Sequence, residues 1–170
     1  MKRALVIACC GAFVAGWRVS GDPWGGLAFA AALAVALWLV TALGRRWRDV
    51  FYLMSGLRRV DLMSGPEFED YVAAKFRSAG YRVSATRSTG DFGVDLIARK
   101  GNARIAVQCK RHGNPVGVAA VQQVVAGAAV HRCTSTMVVS NQEFTPAAVT
   151  LARSHNCKLV GRSRLQIMPV

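Results

Sequence analysis

Residues 90–111 read Gly-Asp-Phe-Gly-Val-Asp-Leu-Ile-Ala-Arg-Lys-Gly-Asn-Ala-Arg-Ile-Ala-Val-Gln-Cys-Lys-Arg. Residues 94–99 and 104–110 are short runs rich in apolar and β-branched side chains, and a Lys-Gly-Asn turn signal separates them, so the stretch predicts a β-hairpin. With Gly101-Asn102 as a two-residue loop, Asp95 stands directly opposite Gln108. Side chains alternate with a period of two, so Gln108 and Lys110 share the face of Asp95. Val94, Leu96, Ile105, Val107 and Cys109 are expected on the opposite face, toward a core. One carboxylate, one amide and one ammonium therefore converge on an otherwise apolar hairpin.

These three groups suit the chemistry of a phosphodiester. Attack on an anionic phosphorus needs a divalent cation, a positioned water and positive charge for the crowded transition state. Asp95 is a hard oxygen ligand suited to Mg²⁺, which takes one or two protein carboxylates and keeps several waters. Lys110 is placed to orient or deprotonate the water and to offset phosphate charge. A surface hairpin whose polar residues face solvent is the alternative that the hairpin alone leaves open.

The blocks Gly90-Asp91-Phe92-Gly93-Val94-Asp95-Leu96-Ile97 and Val107-Gln108-Cys109-Lys110-Arg111 resemble the catalytic domain of Mrr-type restriction endonucleases, in the PD-(D/E)xK nuclease superfamily. The likeness runs from about Ser64 to Leu165 and includes Gly65-Pro66-Glu67-Phe68-Glu69, Gly80-Tyr81-Arg82-Val83, Val121-Gln122 and Phe144-Thr145. Gln108 stands where the superfamily usually has an acid, and glutamine there is the Mrr-type variant. The resemblance implies a Mg²⁺-dependent DNA endonuclease, with Asp95, Gln108 and Lys110 as its catalytic residues. It further implies Glu69, from the first helix of the domain, as a metal ligand beside Asp95 and Gln108, and Gln122 as an accessory residue. Arg87, Arg111 and His112 flank the hairpin and are candidates for DNA contact. Asp91 is expected to cap the turn or to stand near the site.

Composition changes sharply at about residue 44. Residues 1–43 hold three basic residues and one acidic, which leaves 19 basic and 8 acidic in the other 127, a net charge of +11. That balance suits a polyanionic partner. Arg45, Arg46 and Arg48 also fit a positive membrane flank. The five cysteines are scattered without a Cys-x-x-Cys pair, which fits reduced thiols rather than a disulfide framework or a zinc site. His112, His131 and His155 have no ligand spacing.

Residues 4–19 and 24–43 are apolar, and the second run has 20 residues without a charge. At about 1.5 Å per residue that run matches a hydrocarbon core of roughly 30 Å. The first is limited by Arg18, and Gly21-Asp22-Pro23 makes a turn between them. Lys2 and Arg3 at one end and Arg45, Arg46 and Arg48 at the other predict a two-helix hairpin with both termini in the cytoplasm. The alternative is a cleaved signal or lipoprotein leader, for which residues 4–8 are a short apolar region.

Further along, Ser64 with Glu67 forms a capping-box signature and Pro66 lies in the first turn, so a helix runs to Gly80 with Phe68, Tyr71, Val72, Phe76 and Ala79 on its buried stripe. A strand is expected at 81–86, a loop at 87–93, a helix at 116–132, a strand at 135–140, a helix opened by Thr145 and Pro146, and a last strand at 158–161. The expected fold is α/β: a restriction-endonuclease-like mixed sheet flanked by helices, preceded by two transmembrane helices. The expected divisions are a hairpin at 1–43, a basic juxtamembrane connector at 44–63 and a nuclease domain at 64–170. The whole reads as an endonuclease of restriction or DNA-defence type, held in the inner (cytoplasmic) membrane with its catalytic domain in the cytoplasm. DNA is its substrate, and a homodimer is a candidate assembly. The rivals are a structure-selective repair or recombination nuclease, and a non-catalytic membrane tether for DNA.

Overall fold

The computed structural model describes residues 2–86 and 92–168, and among these the side chains from residue 8 onward, Cys9 excepted. Arg87 and Asp91 lie outside the described residues. The chain forms two compact units that meet between Arg48 and Asp49.

In the first unit, α1 (Lys2–Ser20) and α2 (Pro23–Leu53) form a helical hairpin turned at Gly21, whose φ is +77°. Asp22 accepts a hydrogen bond from the Gly25 N–H at 2.7 Å and so caps α2. The two helices meet through glycines. A Cβ on Gly16 would lie 2.7 Å from Phe29 Cβ, and one on Gly26 would lie 2.8 Å from the Phe13 carbonyl oxygen. Of the two spans expected, only α2 is long and apolar enough to cross a membrane, by length and composition, among the described residues. The apolar run ends at Leu43, yet α2 continues to Leu53 for 31 residues. Arginines are good helix formers, so the charge change marks a polarity boundary and not a helix end.

The second unit is a three-layer α/β/α sandwich. Its elements are α3 (Leu57–Val60), α4 (Gly65–Ser78), β1 (Arg82–Ala85), β2 (Leu96–Lys100), β3 (Ala103–Lys110), α5 (Val118–Val130), β4 (Ser135–Ser140), α6 (Pro146–Ser154), β5 (Lys158–Val160) and α7 (Arg162–Leu165). The sheet order is β1-β2-β3-β4-β5. The first three strands are antiparallel, and β3, β4 and β5 are parallel. Lys100 pairs with Ala103 across Gly101-Asn102, and Leu96 pairs with Val107, as the sequence register requires. Gly101, at φ +55°, takes the first loop position, where a tight hairpin turn favours glycine.

Both faces of the sheet are covered. Leu96, Ala98, Ile105, Val107 and Cys109 pack with Phe68, Tyr71, Val72 and Phe76 of α4. Ile97, Ala106 and Val138 pack with Val121, Val124 and Ala128 of α5 and with Ala148 and Ala152 of α6. Val94 was expected beside Leu96 but belongs to this second cluster. It precedes the first residue of β2 and follows Gly93, at φ +77°, so strand alternation does not reach it. Helix α5 begins two residues later than the sequence suggests, because Val116 forms a parallel bridge with Phe144 instead.

The predicted caps are in place. Ser64 accepts from the Glu67 N–H and Glu67 Oε2 accepts from the Ser64 N–H at 2.8 Å, while Thr145 accepts from the Ala148 N–H at 3.3 Å. A polar tie then joins the segment before α4 to the carboxyl ends of β3 and β4. Arg162 donates to both oxygens of Asp61, at 2.7 and 2.9 Å, and Asn141 donates to one of them at 3.0 Å. The His112 N–H donates to Asn141 Oδ1 at 2.8 Å, and Arg111 donates to the Asp61 carbonyl at 2.8 Å.

The hydrogen bonds from Arg162, then those from Asn141, hold the Asp61 carboxyl below its ordinary value. A carboxylate whose folded value is depressed contributes stability above its unfolded value and loses it as pH falls through the folded one. Asp61→Asn should therefore be less stable than the wild type at pH 7. The difference should shrink below the ordinary carboxylate range and vanish when Asp61 is protonated in both states. Urea denaturation at a series of pH values checks this, and a difference that persists unchanged in acid would exclude it.

Candidate active site

The hairpin register delivers the expected meeting of groups. Asp95 Oδ2 accepts from Gln108 Nε2 at 2.7 Å and from the Cys109 N–H at 2.6 Å. The Asp95 N–H donates to the Val107 carbonyl at 2.9 Å, so backbone and side chain are both held by β3. Two N–H donors on one oxygen fix the carboxylate's orientation. Gln108 is only 4% exposed, although Asp95 and Lys110 are partly open.

Gln108 Oε1 is buried and has no hydrogen-bond partner. A buried acceptor left without a donor is costly, and such an atom within reach of a carboxylate suits a cation. Asp95 and the Gln108 carbonyl thus fit a hard divalent metal. Among the described residues, no group of three or more His, Cys, Asp and Glu stands close enough to hold one. The amide at position 108 takes the place of the further acid that such a group would need.

Glu69 is half-buried on α4, near enough to Cys109 for its charge to act on that thiol. Burial first, then the charges of Asp95 and Glu69, push the Cys109 thiol well up, and Lys110 opposes them. One buried sulfur atom thus senses all three charged groups expected in the site. Its high value keeps Cys109 a neutral, packed side chain and not a nucleophile.

Lys110 faces a cavity of about 230 Å³ that it shares with His112, Gln123 and the first turn of α5. No side chain caps α5 at Gly117, which lines this space with Ala119 and Ala120, so the leading N–H groups of the helix lack a side-chain acceptor there. A helix start and an ammonium together favour an anion there. Arg111, by contrast, is tied to the Asp61 carbonyl, while the His112 ring lines the cavity.

Gln122 and Gln123 are both exposed on α5, and of the two Gln123 lines the cavity: a Cβ on Gly93 would lie 2.4 Å from Gln123 Cβ and 3.0 Å from Gln108 Oε1. Helical phase held the signal. Ala120, Val124 and Gly127 are buried on α5, and position 123 flanks that buried arc, about 40° from Gly127. Asn141 was also missed, because its role depends on contacts with residues 61 and 162, far apart in the chain.

Comparison with known proteins completes the assignment. The sequence matches the Mrr_cat restriction endonuclease family over residues 60–168. No curated protein matches the chain. Among solved structures, a protein of unknown function, AF1548, is similar with a TM-score of 0.47 and 23% identity, covering 54% of this chain and 55% of that one. The MspJI restriction endonuclease in complex with a 27-mer oligonucleotide is similar with a TM-score of 0.39 and 22% identity, covering 81% of this chain and 30% of that one. The chain therefore spans about half of the first of these proteins and less than a third of the second. With Asp95, Gln108 and Lys110 inside a match that takes in nearly the whole sandwich, this chain belongs to the Mrr_cat restriction endonuclease family.

Proposed function

We propose that the chain is a Mg²⁺-dependent DNA endonuclease of restriction or DNA-defence type, held at a membrane with its catalytic unit in the cytoplasm. The observation that carries the reading is the Asp95–Gln108 pair beside the Lys110 cavity. A restriction endonuclease domain of this superfamily generally uses a divalent metal, which when bound supplies Lewis-acid stabilisation of phosphoryl oxygen charge and a more acidic water.

Asp95, Gln108 through Oε1, and Glu69 are the residues that would hold the metal. Lys110 orients the attacking water and offsets charge on the phosphoryl oxygens. The phosphate enters the cavity at the start of α5, where the leading N–H groups lack a side-chain acceptor and the His112 ring lines the space. In the reaction, a water oxygen bonds to phosphorus, one P–O ester bond breaks, and the leaving oxygen takes up a proton. Gln108 and the Cys109 N–H hold Asp95 in place throughout. Cutting both strands of a duplex calls for two such centres, which a homodimer supplies.

Asp95→Asn and Lys110→Ala should each lower the cleavage rate by on the order of 10²-fold or more while leaving the fold intact, because each removes charge that the transition state uses. Cleavage of plasmid DNA, read beside the circular dichroism of each variant, measures this. Unaltered rates in both variants would remove the catalytic assignment.

The membrane part of the reading rests on α2 and its basic end. Lys and Arg at the ends of a span set orientation, so Arg45, Arg46 and Arg48 place the catalytic unit inside. A reporter fused after Arg59 should show cytoplasmic activity. Replacing Arg45, Arg46 and Arg48 with neutral residues should give a mixed orientation. A reporter that proved external in the unaltered chain would deny the enzyme access to cytoplasmic DNA.

A further inference from the structure

The three antiparallel strands carry a row of charge that the catalytic centre does not use. Arg82 of β1 pairs with Arg99 of β2, and Arg99 pairs with Arg104 of β3. Three arginines therefore stand side by side across strands about 4.8 Å apart. Like charges set directly opposite one another destabilise a sheet, so an ordinary surface would interleave acids. Here none does. Among the described residues the ion pairs join Arg77 to Asp49 and Arg162 to Asp61, and none involves this row.

Two further observations bear on what this row can bind. Arg82 and Arg99 are exposed and line a concavity of about 580 Å³ together with Ser84 and Lys100. Arg104 Nε is buried without an acceptor, a donor whose partner is not among the described residues. Guanidinium forks match phosphate oxygens two at a time, and hold them without reading base sequence.

The placement relates the row to the catalytic centre. Arg104, Ala106 and Gln108 alternate along β3 and so share one face of the sheet. Four residues of strand separate Arg104 from Gln108, about 13 Å at roughly 3.3 Å per residue. The phosphate cavity at Lys110 lies two residues beyond Gln108, about 20 Å from Arg104 along β3 at roughly 3.3 Å per residue, so the two sites engage different stretches of the duplex backbone.

We propose that Arg82, Arg99 and Arg104 form a second DNA-backbone site, which grips a stretch of the duplex backbone apart from the one being cut. The proposal rests on the DNA-cleaving reading given above, and the experiment separates the two. Binding of a short duplex to the full-length chain in a non-ionic detergent is measured from low to moderate salt, for wild type, Arg82→Ala/Arg99→Ala and Arg82→Lys/Arg99→Lys. Each phosphate contact contributes about 0.9 to the log-log salt slope, so the alanine variant should lose roughly 1 to 2 from the magnitude of that slope. Its affinity should fall about tenfold or more near 0.1 M salt, with KM raised and kcat at saturating DNA unchanged. The lysine variant, which keeps the charge, should keep most of the slope.

A wild type that does not bind DNA would defeat the nuclease reading itself. A wild type that binds, with an alanine variant equal to it in affinity and slope, would overturn the arginine site and leave the nuclease reading standing. Loss of binding to anionic lipid vesicles in the alanine variant, with DNA affinity retained, would also overturn it and make the row a headgroup site.

Discussion

The candidate site depends on one carboxylate. Asp95 sits just before β2, and its Oδ2 accepts from the Gln108 side chain and from the Cys109 backbone. Those two bonds couple the strand register to the chemistry. A slip of one residue would exchange Gln108 for Val107 or Cys109 and turn Lys110 to the other face. The register is in turn fixed by the tight loop at Gly101 and by burial on both faces, which admits only one assignment of apolar side chains.

Burial on both faces also explains where the charge has gone. With α4 on one side and α5 and α6 on the other, polar side chains survive only at the ends and the edge of the sheet. At one end, Asp95, Gln108 and Lys110 meet the uncapped start of α5. Toward the other end, Arg82, Arg99 and Arg104 line up beyond the apolar cover. The Asp61, Asn141 and Arg162 tie holds the catalytic end closed against α3, so that His112 is presented to the cavity while Arg111 is drawn back.

Much of this was legible from sequence because the determinants are local. The Gly101-Asn102 loop predicts the pairing of Asp95 with Gln108, and the Ser64 and Thr145 caps predict where α4 and α6 begin. Val94 falls on the other face because glycine at 93 ends the strand alternation before it. Gln122 was named from the family resemblance, whereas the closeness of Gln123 to Gly93 is a tertiary contact that the sequence does not display. Asn141 and Arg162 left no local signal, since their partners lie 80 and 101 residues away from them in the chain. The first of the two expected spans was already limited by Arg18 in the sequence, and among the described residues only α2 is long and apolar enough to cross a membrane.

The central claim is that this centre hydrolyses DNA with the help of a divalent metal. Incubation of the purified full-length chain with supercoiled plasmid, in Mg²⁺ and then in an excess of chelator, tests it most directly. The account predicts nicked and linear products in Mg²⁺ and intact plasmid when the metal is withdrawn. Plasmid that stays intact in both, or that is cut equally in both, would contradict it.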